Sequence, residues 1–226
     1  MDSEDVPGLL DLRGQERDWR AIAVLGFAED DAALAEGYFD AAEIIVDAWK
    51  AGNHNDLLAI PILALYRHGI ELALKAGIRE AACRLRVDGH DDASLDPGAV
   101  DKRLAGTHCI GDLVVELTGY LDRLMLFSVK KLPADALEVL NSLHLLDKTG
   151  QAFRYATVKS GKGKAAVLVP ARPDQKHVDI LAVSAALHEA GGLVLYGVSG
   201  VLEEYAESQQ MAYEERAQME AEGWGI

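Results

Sequence analysis

The stretch from Leu57 to Arg79, LLAIPILALYRHGIELALKAGIR, constrains the fold more than any other part of the chain. At about 100° per residue, Arg67, His68, Glu71, Lys75 and Arg79 gather within an arc of about 120°. The rest of the circumference is apolar or small: Ile62, Leu63, Leu65, Tyr66, Gly69, Ile70, Leu72, Ala73 and Leu74. A surface helix buries a stripe and exposes the remainder. This one reverses the proportions, so it is expected at the centre of a bundle with neighbours on most sides. Pro61 stands where a first-turn proline is tolerated, and Asn53 or Asn55 is placed to cap the start. The helix is expected to run on toward Val87.

A narrow charged stripe on a central helix has two readings. In one it is the only solvated strip, with Arg67–Glu71 and Glu71–Lys75 as i,i+4 pairs worth roughly 0.3–0.5 kcal/mol each. In the other it faces a cleft or an interior network, where charges are retained because they do something.

The flanking pattern is helical too. Asp30 or Asp31 caps a helix ending at Gly52, with Leu34, Tyr38, Ala41, Ile45, Ala48 and Trp49 at three- and four-residue steps. Before it, residues 1–14 read as an irregular arm and 15–28 as a short helix. Residues 88–106, rich in Gly, Asp and Pro, read as a loop with one short helical turn. Thr107 is expected to cap a helix reaching Lys130, its apolar face Ile110, Leu113, Val114, Leu117, Leu121, Leu124 and Met125. Pro133 opens another, with Leu137, Leu140, Leu143 and Leu146 as its packed face.

The pattern changes at Gly150. FRYATV and AAVLVP, joined by KSGKGK, read as a basic β-hairpin over 152–170. Helix resumes at Asp174 and runs to about Gly192, with Ile180, Leu181, Val183, Ala186 and Leu187 inward. A last helical piece ends in a solvated acidic tail, 210–226, and Gly191, Gly192, Gly197 and Gly200 permit close packing or a kink. Half the residues are hydrophobic but only 6% aromatic, which suits an Ala/Leu-rich bundle. Without repeat or linker, residues 1–226 read as one mainly α domain, an up-and-down bundle with a hairpin insertion.

The net charge of −15 argues against nonspecific nucleic-acid binding by the whole surface. The charge is unevenly placed: −10 over residues 1–60, −6 over 203–226, and +6 over 148–177. The basic segment can receive an anion or pair with the acidic ends. No uninterrupted apolar run approaches the eighteen or so residues of a membrane span. The acidic start lacks a basic-then-apolar leader, and Cys83 and Cys109 form no CxxC, so a reducing cytoplasm is expected.

Three blocks, YRHGIELALKAGI (66–78), THCIGDLVVEL (107–117) and LHLLDKTGQAFRYATVKSGKG (143–163), resemble a group of bacterial HEPN-like proteins. Arg67, His68, Glu71 and Lys75 match the first block, His108 the second, and Asp147, Phe153, Arg154 and Tyr155 the third. The resemblance spans about half the chain. It implies an all-α HEPN-like bundle, a homodimer, and a toxin–antitoxin or phage-defence module with an antitoxin or defence-complex partner. It further implies RNA or a nucleotide as ligand and, in many members, metal-independent endoribonuclease activity. Those members carry Arg and, four to six residues later, His on one helix. Here Arg67 is followed directly by His68, and the pair at that spacing considered at the end of the same helix is Arg84–His90. A non-catalytic HEPN-like subunit acting by protein, nucleotide or RNA binding is therefore the alternative.

Metal-free RNA cleavage needs a base at the 2′-OH, an acid at the leaving 5′-oxygen and a cation on the phosphate. Arg67, His68, Glu71 and His108 are the catalytic candidates: the histidines as base and acid, Arg67 on phosphate, and Glu71 orienting Arg67 or His68. Lys75, Arg154 and Tyr155 are the anion- and substrate-binding candidates. No cofactor or metal is expected. GKGK at 161–164 lacks the rest of a P-loop, no HxxxH, HExxH or GxSxG occurs, and His108 and Cys109 point to different faces.

Overall fold

The computed structural model describes residues 29–52, 55–124, 132–161 and 166–222, with positions 23 and 26. The arm over 1–14, most of the helix expected over 15–28, the stretch 125–130, most of the GKGK turn and the last four residues lie outside them. The chain is a helical bundle with one two-stranded antiparallel sheet.

Helix α1 (Asp31–Lys50) is capped by Asp30, whose Oδ1 accepts from the Ala33 amide at 2.8 Å. It buries Ala35, Phe39, Ala42 and Val46, one position round from the expected set, and leaves Leu34 40% exposed. Small residues win the inner face because the neighbours come close. A Cβ on Gly69 would stand 2.6 Å from Phe39 Cε1, and one on Gly191 2.7 Å from Phe39 Cζ. The Phe39 ring therefore sits between two glycines on two other helices.

Asn55 caps a 3-10 turn (Asp56–Leu58), which leads into α2 (Ala59–Val87). Sixteen of the 29 residues of α2 are buried, and it packs against α1, α3, α4, α6 and α7. It is the central helix of the bundle. By length and composition alone two helical stretches, Asp56–Val87 and Ile180–Ala221, are apolar enough to cross a membrane, at mean hydropathies of 1.5 and 1.4. The uninterrupted-run criterion missed them because single charges and glycines punctuate both; half of the first window is buried inside the bundle.

The expected 88–106 loop is a 3-10 turn (Ala93–Leu95) followed by helix α3 (Pro97–Ala105), with Pro97 in its first turn. Buried Leu95, Val100 and Leu104 hold it down; the surrounding Asp, Gly and Pro hid that short apolar stripe. Thr107 does not cap the next helix: its hydroxyl donates to the Arg103 carbonyl and closes α3. Cys109 occupies the N-cap of α4 (Ile110–Arg123), which buries Ile110, Leu113, Val114, Leu117, Tyr120 and Leu121.

Helix α5 (Ala134–Leu146) packs through Ala136, Leu140 and Leu143, whereas Leu146 is 53% exposed, because the last turn overhangs. Strands β1 (Thr157–Ser160) and β2 (Val167–Pro170) form the hairpin, and residues 152–154 are a turn rather than strand, with Phe153 buried. Helix α6 (Ile180–Gly192) begins six residues later than expected, where the Asp179 carboxylate accepts from Ala182 N at 3.0 Å. It buries Ile180, Ser184, Leu187 and Ala190 and leaves Leu181 38% exposed. A π-helical turn (Leu193–Gly197) joins it to α7 (Val198–Ala221), supplying the kink that the glycines suggested. From Gln210 to Glu222 every residue of α7 and its cap is exposed.

Candidate functional site

The charged stripe of α2 faces inward. Arg67, Glu71 and Lys75 are 4%, 2% and 7% exposed, and they succeed one another at single-turn intervals. Glu71 is the hub. Its Oε2 accepts from Arg67 Nη1 at 2.7 Å, and its Oε1 accepts from Lys75 Nζ at 2.9 Å and lies 2.9 Å from His108 Nδ1. Burial alone would raise the Glu71 pKa, but the hydrogen bonds from Lys75, Arg67 and His108 outweigh it and hold the carboxyl down to about 2. It is a carboxylate at any physiological pH.

Arg67 spends its donors inside the protein. Beyond Glu71, its Nη2 donates to the His108 carbonyl and its Nε lies 3.1 Å from Asp147 Oδ2, an ion pair too bent to count as a hydrogen bond. Asp147 follows α5 directly and is itself buried. Its Oδ1 accepts from the amides of Gln151 and Ala152 at 2.8 and 3.0 Å, fixing the turn that carries Arg154. Gly150, at φ +73, makes the crossing: a Cβ there would stand 2.9 Å from Arg67 Nη2 and 3.1 Å from Arg154 Nη2. The two guanidinium groups thus flank one glycine, and Arg154 Nε donates to the Gly150 carbonyl.

Of the residues expected at the site, Arg67, Glu71, Lys75, His108 and Arg154 are brought together and two stand apart. His68 lies on the neighbouring face of α2, its ring edge-on to Tyr38 with centroids 4.4 Å apart. Burial lowers its pKa; Glu71 opposes this, and the Arg154, Arg67 and Lys75 cations reinforce it. Glu71 therefore orients Arg67 and His108, not His68. Tyr155 points out, 56% exposed, and holds no other member of the cluster. Arg79 leaves the stripe to join α1 and α3 through Asp31 and Asp101, the latter at 2.7 Å. The Arg84–His90 pair does not assemble: Arg84 Nε pairs with Glu80 at 2.8 Å, and His90 is exposed beyond the end of α2.

Asp147 and Gly150 complete the cluster without having been among the candidates. A readable signal was present, since an Asp ending a helix before Thr-Gly is a turn-stabilising residue. Its pairing with Arg67 spans 80 residues of sequence and has no local signature.

What remains open to solvent is the His108 ring, 51% exposed, and the Arg154 guanidinium. With Nδ1 on Glu71, the Nε2 atom of His108 faces outward, an orientation that suits a proton acceptor, and Arg154 offers forked donors to an oxyanion. Among the described residues no group of three His, Cys, Asp or Glu side chains is arranged to hold a metal ion. A surface depression of about 490 Å³ lies elsewhere, lined by Cys83, His90 and Asp92 among others, away from these groups. No family model matches the chain, and no curated protein or solved structure matches it either.

Proposed function

We propose that the chain is a HEPN-like protein of a bacterial toxin or phage-defence module that cleaves RNA without metal, through His108 oriented by Glu71. The observation that carries this reading is the 2.9 Å contact between a buried carboxylate and an imidazole that is half in solvent. A carboxylate on Nδ1 fixes the tautomer and supports charge on the ring, which is what a general base requires. His108 Nε2 takes the 2′-OH proton, the 2′-oxygen attacks phosphorus, and the 5′-oxygen leaves and takes a proton from water. The product end is a 2′,3′-cyclic phosphate. Arg154 stands ready for the non-bridging oxygens. Arg67, with its donors committed internally, holds the His108 backbone rather than substrate.

That same internal saturation of Arg67 favours the second reading, a non-catalytic HEPN-like subunit whose network only fixes the bundle. One experiment separates them. Total RNA and tRNA are incubated in EDTA with the wild type, His108→Ala and His68→Ala. The first reading expects cleavage by the wild type, retention of most of it by His68→Ala, and loss with His108→Ala at an unchanged melting temperature. A folded wild type that leaves RNA intact selects the second.

A further inference from the structure

Charge in this chain is segregated along the sequence. Lys148, Lys159 and Lys176, in the segment of net charge +6, are exposed and meet no carboxylate among the described residues. Glu203, Glu207, Glu215 and Glu220, in the segment of net charge −6, are exposed on α7 and meet no cation among them.

The two faces of the hairpin are unequally exposed. Val158 and Val169 stand opposite each other and are half-buried, while Ser160 and Val167 on the same face are exposed. On the other face Lys159 stands opposite Leu168 and Thr157 opposite Pro170; all four are exposed, Leu168 at 69%. Two strands alone make a marginal sheet, so an exposed leucine at its centre is a surface awaiting cover.

Helix α7 has an open face of opposite charge. Past Gln209, whose amide donates to the Arg84 carbonyl at 3.0 Å, the helix leaves the bundle. There Met211, Glu214, Glu215, Gln218, Met219 and Glu222 recur at three- and four-residue steps and share one side. Met211 is 58% and Met219 50% exposed. Each surface therefore sets exposed apolar side chains beside charge that meets no opposite charge among the described residues, and the signs are complementary. Both are exposed within one chain.

We infer that the β1–β2 hairpin of one copy docks on the outer face of α7 of a second copy, Leu168 against Met211 and Met219 and Lys159 against Glu215. A two-fold axis makes the contact occur twice, which closes the dimer. A polyanion would want a row of cations with stacking rings; among the described residues this face offers Lys159 beside Leu168 and Pro170.

The test uses the full chain in sedimentation equilibrium, with circular dichroism confirming that each variant folds. The wild type is expected to be a dimer that loosens as salt rises from about 0.05 to 0.5 M. Lys159→Glu and Glu215→Lys should each raise the dimer dissociation constant by roughly tenfold or more, since like charges then face each other at both contacts. Mixing the two variants should restore association, because the mixed dimer has one native contact and one with the charges exchanged. A monomeric wild type at tens of micromolar overturns the inference, as does a dimer indifferent to both changes or a mixture that fails to associate. Loss of RNA binding in Lys159→Glu with unchanged sedimentation assigns the hairpin to nucleic acid and overturns it as well.

Discussion

Glu71 lies one helical turn beyond Arg67, and the two side chains meet at 2.7 Å where neither is more than 4% exposed. A buried pair of this kind is costly to break from one side, because the survivor keeps its charge without a partner. Glu71→Ala strands two cations, Arg67 and Lys75, and frees His108 Nδ1. It should lower stability by about 3–5 kcal/mol in urea titration. Glu71→Gln, which keeps one acceptor, should cost less. Equal stability for the wild type and both variants would mean that the network is solvated in solution.

The same carboxylate sets an acid limit. Its pKa is depressed from 4.5 in the unfolded chain to about 2, so its contribution is complete above pH 4.5 and is lost as pH falls toward 2. Roughly 3 kcal/mol is at stake by linkage. Unfolding free energy measured from about pH 5 to about pH 2 should fall more steeply in the wild type than in Glu71→Gln.

His68 acts in a separate window. Burial lowers its pKa below 6.5, so the folded state disfavours the imidazolium. The associated stability is present above about pH 6.5 and declines as the proton is taken up below it. Melting temperatures from about pH 7.5 to 5.5 should decline in the wild type and stay flatter in His68→Gln. The ring resonance of His68 should titrate below the ordinary imidazole range.

Gly150→Ala combines a left-handed backbone at φ +73 with a Cβ 2.9 Å from Arg67 Nη2. The expected loss is about 1–3 kcal/mol, together with displacement of Arg154. RNA or phosphate binding should fall with it, whereas Gly200→Ala, with no atom within 4 Å of its Cβ, should leave binding unchanged.

Gly69→Ala drives a methyl to 2.6 Å from Phe39 Cε1 and should cost about 1–3 kcal/mol by overpacking. Phe39→Leu removes the obstructing ring edge. In a double-mutant cycle the pair should show positive coupling, Phe39→Leu losing less stability in the alanine background than in the wild type. Additive losses would mean that the two do not touch.

Periodicity made α2 legible: its length, its central place and the alignment of Arg67, Glu71 and Lys75 all follow from a 3.6-residue repeat with one narrow polar strip. The inner face of α1 was harder. Leu34 and Tyr38 outrank Ala35 and Ala42 in hydrophobicity, but the helix approach set by Gly69 and Gly191 rewards small size over apolar area. Helix α3 was obscured because only Leu95, Val100 and Leu104 anchor it amid turn-forming residues. Within the site, the alignment of Arg67, Glu71 and Lys75 on one helix could be read from spacing. The partner of Arg67 on the far side of the hairpin approach, Asp147, could not, and neither could the turning of His68 toward Tyr38, which depends on which helix lies beside it.

The π turn at Leu193–Gly197 acts as a gear tooth between α6 and α7. A π turn holds one residue more than an α turn, so the phase of everything downstream is advanced by one side-chain position. Tyr205 and Gln209 reach Asp88, at 2.6 Å each, only in that phase. Rewinding all five residues of 193–197 as ordinary α-helix, at about 100° per residue, would rotate α7 by nearly one side-chain position. Leu202 would then swing out of the core, whereas a chain shortened by one residue in this turn would wind as α-helix with Tyr205 and Gln209 still facing Asp88.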